Sequence, residues 1–347
     1  MPTITFAQAG KGAKAGTGAW PPAIAGEKHV YKKVGERELC LWRIRTDAAA
    51  STPDDQSKTK LPCIVFFFGG GWTSGSPEQF LPQARYLASR GMAAFVADYR
   101  VASRDQVKAA ACVEDAKSAV RYLRANAEQL QIDPDRICAA GGSAGGHIAC
   151  ATALLPGFEV ANEKLDVSSA PNALALFNPA VVLAPLPGLP VPKEAEQKMS
   201  SLKDRLGAEP EAMSPAHHVR AGLPPVIIFH GRADSTVNVK TVEKFAELME
   251  SSGNRCDLKL YDGAPHGFFN APNNGQARAT KNAEKKADQP GDEKAKKAQG
   301  KKGAAADAQA PQQKAVWHAQ TLEELDKFLA SLGWISGPPT LEIPEAK

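Results

Sequence analysis

The sequence lacks long apolar runs, and its cysteines are not arranged in pairs. No stretch of the 347 residues approaches the roughly 18 to 20 apolar residues that a membrane-spanning helix needs. None of the six cysteines has the C-x-x-C spacing of zinc or redox sites. We expect neither a metal nor a cofactor. Buried, reduced thiols are expected in preference to a disulfide framework. The cysteines are Cys40, Cys63, Cys112, Cys138, Cys150 and Cys256.

The excess of positive over negative charge is confined to one segment. The net charge is +4, yet Asn274–Ala315 holds ten Lys or Arg against five Asp or Glu, which leaves the rest of the chain close to neutral. A basic surface of the kind that binds nucleic acid is therefore not indicated for the fold. A composition of 43% hydrophobic and 23% charged residues is ordinary for a globular protein.

The N-terminus lacks a complete secretory signal. Residues 1–18 do not show the basic, apolar and small-residue order of a signal peptide, which predicts a cytoplasmic protein without membrane association. The fragment Ile4–Ala9 is similar to the end of such a signal. A secreted or periplasmic location therefore stays open if the start is misassigned, and the oligomeric state cannot be read from the sequence.

The chain divides into one folded domain and three poorly patterned segments. Residues 1–28 lack apolar periodicity and predict a flexible arm, and residues 338–347 form a tail. Residues 29–337 predict a single domain, interrupted by a low-complexity segment at 271–315 that has almost no large apolar residue. Because burial cannot offset the cost of ordering such a segment, we expect a disordered insertion there.

Short apolar runs alternate with amphipathic helices along the domain, which predicts an α/β fold with a mainly parallel sheet. A hairpin is expected first, over residues His29–Arg45. The strands expected after it are Leu61–Phe68, Met92–Asp98, Arg136–Ala140, Ala173–Phe177, Pro225–Phe229 and Asp257–Tyr261. The expected helices are Gln79–Arg90, Gln106–Gln129, His147–Leu155, Glu194–Leu206, Val239–Ser251 and Thr321–Leu332.

Ser143 is the first candidate catalytic residue. It stands at the centre of Gly-Gly-Ser-Ala-Gly-Gly-His, directly after a predicted strand and before a predicted helix. A nucleophile on such a turn is exposed, flanking glycines leave room around it, and the helix N-terminus favours a developing anion. The motif alone occurs often by chance, so it needs partners.

Two such partners follow in the chain. Asp234 comes after the strand Pro225–Phe229, and His266 comes after the strand Asp257–Tyr261. The order Ser, Asp, His, each on a loop that follows a strand, predicts a catalytic triad. His266 would take the proton of Ser143, and Asp234 would orient and stabilise the imidazolium.

A glycine run at 69–71 follows the first parallel strand. An oxyanion hole needs backbone amides that converge on the developing charge, and glycine lets the chain approach closely. The amides of Gly69, Gly70 and Ala144 are the predicted donors. Packing of a tight turn is the alternative reading of the run.

These motifs resemble the hormone-sensitive-lipase-like, acetyl (xylan) esterase branch of the α/β-hydrolases. The resemblance covers about Leu61–Phe269 and the last helix, and it implies the α/β-hydrolase fold for residues 29–337. The segments that carry it are Phe-Gly-Gly-Gly-Trp at 68–72, Asp-Tyr-Arg at 98–100, Gly-Gly-Ser-Ala-Gly-Gly-His at 141–147, the Asp234 loop and Pro-His-Gly-Phe at 265–268.

The chain also departs from that branch. Phe68 stands where the family usually has His, so a hydrogen bond that would brace the oxyanion loop is lost. Val101–Ser103 replaces the usual Leu-Ala-Pro, and Gly142 replaces an Asp common among lipase-like members. N-terminal cap helices are not evident. These departures resemble the acetyl or xylan esterase subgroup, which implies a small cap and an open site.

Other polar and aromatic residues near the motifs are weaker candidates. Trp72 is expected to form either a pocket wall or core, and Asn178 to line the substrate pocket. His147 and Asp98 are expected to serve packing and bracing. The remaining histidines considered are His217 and His218, expected in a surface or lid loop, and His230, expected to pack near the acid.

The sequence therefore predicts a serine carboxylesterase that acts on short-chain, acetyl-type esters, with carbohydrate esters among the candidates. Its substrate is expected to be a small-molecule ester. An amidase or peptidase that uses the same triad is one alternative. A catalytically silent binding protein of the same fold is the other, although it would require a broken triad or oxyanion hole.

Overall fold

The structure is a computed structural model that describes residue 20 and residues 22–45, 60–189, 202–272 and 303–344. Within these ranges no helix is long and apolar enough to cross a membrane. All six cysteines lie in them, and all six are buried and free, which confirms the expectation of reduced thiols.

One eight-stranded sheet organises the chain. Its strand order is β1-β2-β4-β3-β5-β6-β7-β8. The first two strands form an antiparallel hairpin, β2 pairs antiparallel with β4, and all later pairs are parallel. The strands are β1 (Glu27–Val34), β2 (Arg37–Ile44), β3 (Leu61–Phe67), β4 (Ala93–Ala97), β5 (Ile132–Gly142), β6 (Ala173–Phe177), β7 (Val226–Gly231) and β8 (Cys256–Tyr261).

Among the described residues, five longer helices cover the two faces of the sheet. Three of them, α2, α3 and α4, pack on one face, while α1 and α5 pack on the other. The helices are α1 (Leu81–Ser89), α2 (Ala109–Ala125), α3 (Ala144–Leu154), α4 (Val239–Ser251) and α5 (Gly303–Ser331). Shorter pieces are the helix Ala102–Asp105 and the 3₁₀ helices Pro77–Phe80 and Pro215–His218.

Strand β3 shows why the central apolar runs are nearly continuous. Val65 and Phe67 point into the hydrophobic cluster under α2, α3 and α4, while Ile64 and Phe66 point into the cluster under α1 and α5. Because alternate residues of a strand face opposite sides, a strand covered on both faces needs apolar residues at every position. The predicted α/β architecture with a mainly parallel sheet is thus confirmed.

Several element boundaries differ from the predictions, among them the starts of β5 and α5. Strand β5 begins at Ile132, although Asp133–Pro134 was expected to precede it. Its pairing with β3 shifts register just there, so the proline lies where the ladder is irregular and needs no amide. Helix α5 begins at Gly303 and not at Thr321.

The prediction of a disordered insertion over residues 271–315 is therefore wrong for residues 303–315, which are helical. Alanine and glutamine are frequent in this stretch, and both tolerate a helix well although they give no apolar periodicity. Residues 273–302 of the predicted insertion lie outside the described residues, as does most of the predicted helix Glu194–Leu206, of which 202–206 is seen as a helical turn.

A buried ion pair fastens α5 to α1. Asp326 is fully buried and accepts hydrogen bonds from Arg90 Nε at 2.6 Å and from the Tyr86 hydroxyl at 2.7 Å. The Arg90 guanidinium also donates to the backbone oxygens of Ser336 and Gly337, both at 3.0 Å. The last helix and the chain after it are thereby held to the helix that follows β3.

We expect Asp326→Ala to destabilise the fold by about 3 kcal/mol, since it leaves the Arg90 guanidinium without its buried counter-charge. Urea unfolding measures this. The matched control is Glu324→Ala on the same helix, which removes contacts to Lys259 and Lys327 and should cost no more than about 1 kcal/mol. Equal losses for the two variants would contradict a dominant role for the buried pair.

Candidate active site

The predicted catalytic residues follow three parallel strands at one edge of the sheet. Ser143 comes directly after β5, Asp234 follows β7, and His266 follows β8. Because these strands are parallel, their carboxyl ends meet at the same edge, which is where α/β folds place their ligands.

Ser143 occupies a sharp turn between β5 and α3. Its backbone has φ 55° and ψ −118°, a conformation that costs a non-glycine residue free energy. Two backbone hydrogen bonds hold the turn: its amide donates to the Phe177 oxygen at 2.8 Å, and its oxygen accepts from the His147 amide at 2.9 Å. The strained conformation is thus fixed by the neighbouring strand and by the helix that it starts.

The glycines around Ser143 are required by contact with other backbone. A Cβ atom on Gly141 would lie 2.4 Å from the Gly145 oxygen, and one on Gly145 would lie 2.1 Å from the Phe67 oxygen. No side chain fits such separations. The Gly-x-Ser-x-Gly pattern therefore lets the first turn of α3 press against the end of β3.

The structure brings the three predicted side chains into one hydrogen-bonded chain. His266 Nε2 lies 3.0 Å from Ser143 Oγ, and His266 Nδ1 lies 2.8 Å from Asp234 Oδ2. An ionised carboxylate only accepts hydrogen bonds, so Nδ1 carries the proton and Nε2 is free to accept from the hydroxyl. The arrangement can remove a proton from Ser143 and stabilise the imidazolium that results.

Asp234 stays ionised in this setting. Burial acts to raise the pKa of its carboxyl, but the hydrogen bond and charge of His266 and the Val237 amide outweigh burial, and the pKa is lowered overall. Its Oδ1 accepts the amides of Thr236 at 2.8 Å and of Val237 at 2.9 Å. A buried carboxylate with this many donors remains the anion that the imidazole needs.

Asn178 joins the acid loop to the histidine loop. Its Nδ2 donates to Asp234 Oδ2 at 2.9 Å, and its Oδ1 accepts the Gly267 amide at 3.1 Å. The residue is fully buried, with φ 44° at the end of β6. Asn178 therefore bridges the two loops through a fully buried side chain, whereas the sequence suggested a position in the lining of the substrate pocket.

The glycine loop differs from the predicted oxyanion hole at one position. The Gly69 amide donates to Gln79 Oε1 at 2.6 Å, so it is already engaged. Within the described residues, the amides of Gly70, Gly71 and Ala144 have no hydrogen-bond acceptor. Gly71, the third glycine of the same run, was not among the predicted donors.

Two contacts brace the loop where the family's histidine is absent. The Phe68 ring stacks on Tyr99 with centroids 4.1 Å apart, and the Tyr99 hydroxyl donates to the Phe68 oxygen at 2.6 Å. The Tyr99 side chain, which follows the end of β4, thus offsets the expected loss of a side-chain hydrogen bond at position 68. Tyr99 belongs to the Asp-Tyr-Arg motif, but the sequence did not predict its contact with Phe68.

Trp72 and His147 pack together beneath the glycine loop. The indole Nε1 donates to His147 Nδ1 at 3.2 Å, and His147 Nε2 donates to the Met213 oxygen at 2.7 Å. Burial lowers the pKa of His147 to about 4, so its ring stays neutral. Trp72 is only 6% exposed, and of its two expected positions the structure gives it the packed one.

The remaining predicted histidines lie outside the hydrogen-bonded chain. His230 is buried, donates to the Val237 oxygen at 2.9 Å and lies 3.5 Å from Asp234 Oδ2. His217 contacts Ser214 and Pro185, and His218 contacts the Glu211 oxygen. His217 and His218 lie in the segment that connects β6 with β7.

Asp98 also lies outside the hydrogen-bonded chain of Ser143, His266 and Asp234, and its contact supports the fold. It is fully buried and accepts from Arg37 at 2.7 Å, which ties the end of β4 to the hairpin strand β2. Burial nevertheless raises the pKa of Asp98 to about 7, against the charge of Arg37. The expectation that Asp98 braces its surroundings agrees with this contact.

Comparison with known proteins points to ester hydrolases. The family model described as BD-FAE matches residues 52–249, and the dienelactone hydrolase family model matches residues 202–299. The carboxylesterase NlhH of Mycobacterium tuberculosis is 28% identical over 61% of this chain and 68% of its own length. A probable isoprenylcysteine alpha-carbonyl methylesterase of Oryza sativa is 28% identical over 62% of this chain, which spans only 52% of that relative.

Solved structures of an esterase, Est2 of Thermogutta terrifontis, are similar over nearly the whole chain. The propionate-bound form is 42% identical, covers 92% of this chain and 99% of that one, and has a TM-score of 0.70. The form phosphonylated by sarin covers the same shares with a TM-score of 0.71. These likenesses and the family-model matches confirm the resemblance drawn from the sequence motifs.

We expect Asp234→Asn to reduce kcat/KM for an ester by about 10⁴-fold, because the amide cannot hold the required tautomer and charge of His266. Initial rates on p-nitrophenyl acetate measure this. Asp262→Asn, at an exposed residue that forms an ion pair with Arg232, is the matched control and should retain activity.

The same variant tests the lowered pKa of Asp234. A carboxyl whose folded pKa lies below its unfolded value stabilises the fold above the unfolded pKa, and this stabilisation is lost as the pH falls through the folded value. Urea unfolding should show native protein more stable than Asp234→Asn at pH 7, with the gap closing below about pH 4. A gap that is constant with pH would contradict the ionised, stabilised carboxylate.

Proposed function

Because the chain belongs to the BD-FAE family and is a carboxylic ester hydrolase of the α/β-hydrolase fold, we propose that it cleaves short-chain, acetyl-type esters through an acyl-enzyme on Ser143. The observation that carries the proposal is the hydrogen-bonded chain Ser143–His266–Asp234, with separations of 3.0 and 2.8 Å. The substrate is a small-molecule ester, and esters of carbohydrates are the alcohol class favoured by the resemblance to acetyl (xylan) esterases.

Acylation begins with proton transfer. His266 Nε2 takes the hydroxyl proton of Ser143 as Oγ attacks the ester carbonyl carbon, and Asp234 stabilises the imidazolium. The C–O bond to the alcohol then breaks, and His266 returns the proton to the leaving oxygen. Asn178 supports this step by holding the acid and the histidine loop at a fixed separation.

The amides of Gly70, Gly71 and Ala144 are the donors proposed to bind the oxyanion. In a trans peptide the N–H and C=O groups point in opposite directions. The Gly70 oxygen accepts the amides of Thr73 and Ser74, both at 3.1 Å, which turns the Gly71 N–H to the opposite side of its peptide plane. Donors fixed in this way stabilise charge that develops only in the transition state.

Deacylation repeats the sequence with water as the nucleophile. His266 Nε2 deprotonates the water, the oxyanion forms in the same hole, and Ser143 leaves with the proton of the imidazolium. The products are a carboxylic acid and an alcohol. The same side chains serve both halves because both pass through a tetrahedral oxyanion at one carbon.

A short acyl group is supported by a relative. Structures of Thermogutta terrifontis Est2 are described with propionate and with butyrate bound. By analogy, the acyl side of this site would take chains of that order of length.

We expect Ser143→Ala to lower kcat for p-nitrophenyl acetate by about 10⁴-fold or more, since no nucleophile remains. A fluorophosphonate probe should label the native protein and fail to label the variant. Ser89→Ala, an exposed serine at the end of α1, is the control and should match the native rate. Undiminished hydrolysis by Ser143→Ala would remove the proposed nucleophile.

An ester panel tests the substrate class. For p-nitrophenyl esters from acetate to decanoate, kcat/KM should peak at four acyl carbons or fewer, and acetylated sugars should release acetate. Matched anilides should react far more slowly than the esters. A maximum at long chains, or equal turnover of esters and anilides, would contradict the proposal.

A further inference from the structure

Gln79 contacts both loops that the reaction depends on. It lies on the 3₁₀ helix Pro77–Phe80, just before α1. Its Oε1 accepts the Gly69 amide at 2.6 Å, and its Nε2 donates to Asn270 Oδ1 at 3.0 Å. Gly69 opens the oxyanion loop, while Asn270 belongs to the loop that carries His266. One carboxamide therefore joins the two.

At the oxyanion loop, Gln79 completes a clamp on one peptide. The peptide between Phe68 and Gly69 has its C=O held by the Tyr99 hydroxyl at 2.6 Å and its N–H held by Gln79. A peptide bonded on both edges cannot rotate, so the direction in which the chain enters Gly70 is set. The amides of Gly70 and Gly71, which have no acceptor among the described residues, come next in the chain after this fixed peptide.

At the histidine loop, Asn270 links Gln79 to Gly267, the residue that follows His266. Asn270 Nδ2 donates to the Gly267 oxygen at 2.8 Å, and the Asn270 amide donates to the same oxygen at 3.1 Å. Gly267 is adjacent to His266. Gln79 thus acts on a closed turn whose geometry places the imidazole.

Other side chains anchor the histidine loop without reaching the oxyanion loop. Gln83 Nε2 donates to the Phe269 oxygen at 3.1 Å, and His318 Nδ1 donates to the same oxygen at 2.7 Å. These contacts bind the loop to α1 and α5. A variant that loses one of these contacts weakens the anchoring of the histidine loop and leaves the link between the two loops intact.

We propose that Gln79 is a positioning residue that sets the oxyanion amides in register with His266, an inference that rests on the proposed esterase mechanism. The contact needs a carboxamide, because one end must accept from an N–H and the other must donate to an oxygen. Glutamate keeps only the acceptor, and methionine keeps the length of the side chain with neither group. Misplacement of reacting groups by about 1 Å can cost on the order of 100-fold in rate.

The test compares Gln79→Met and Gln79→Glu with native protein on p-nitrophenyl acetate. We expect kcat to fall about tenfold or more with little change in KM for both variants. Affinity for a trifluoromethyl ketone, which forms a hemiketal oxyanion on the serine, should fall by the same factor as kcat/KM. A purely structural side chain would change the melting temperature and leave both quantities alone.

Gln83→Met is the matched control, since it removes a buried glutamine contact to the same histidine loop without touching Gly69. It should lower the melting temperature and change kcat by less than about threefold. Asn270→Ala should reproduce the kcat loss of Gln79→Met, and the double variant should be no worse than either single one, as expected for residues that act as a unit.

Native kcat in Gln79→Met would overturn the positioning role, as would additive losses in the double variant. A rise in kcat would also overturn it, because it would show that the carboxamide competes with the substrate for the hole. The proposed mechanism fails separately: it requires Ser143→Ala to be inactive, whatever the Gln79 variants do.

Discussion

The close approach of α3 to the end of β3 is the constraint on which the site depends. Gly145 lies so near the Phe67 oxygen that a single added carbon would be 2.1 Å away. This contact forces the chain through the strained turn at Ser143 and places the start of α3 beside the glycine loop that continues β3. Ser143 and the amides proposed to bind the oxyanion are therefore neighbours by backbone packing, before any side chain contributes.

Asp234 and His266 reach Ser143 because strands β5 to β8 are parallel. Strands β5, β6, β7 and β8 run side by side, and each contributes one loop at its carboxyl end. Strand β6 contributes Asn178, whose amide holds its neighbours' loops together. The polar groups of the site are thus tied to adjacent strands, and the rigidity of the sheet is passed on to them.

Most of the fold, and the meeting of Ser143, Asp234 and His266 at one edge of the sheet, could be predicted because the order of strands and loops is visible in the sequence. The residues that were missed act through long-range contacts. Gln79 and Asn270 are 191 positions apart, and no local pattern signals such a pair. The early start of α5 was missed for a different reason: residues 303–315 are rich in alanine and show no apolar period.

The junction at residues 272 and 303 has a consequence for how the sequence can vary. His318 of α5 is bonded to the Phe269 oxygen, and α5 is bonded to α1 through Asp326, so the structure holds both flanks of the intervening chain independently of it. Closing a loop between fixed ends costs only about 0.6 kcal/mol for each doubling of its length. A change in the number of residues between 272 and 303 is therefore expected to cost little stability while the contacts of His318 and Asp326 are kept.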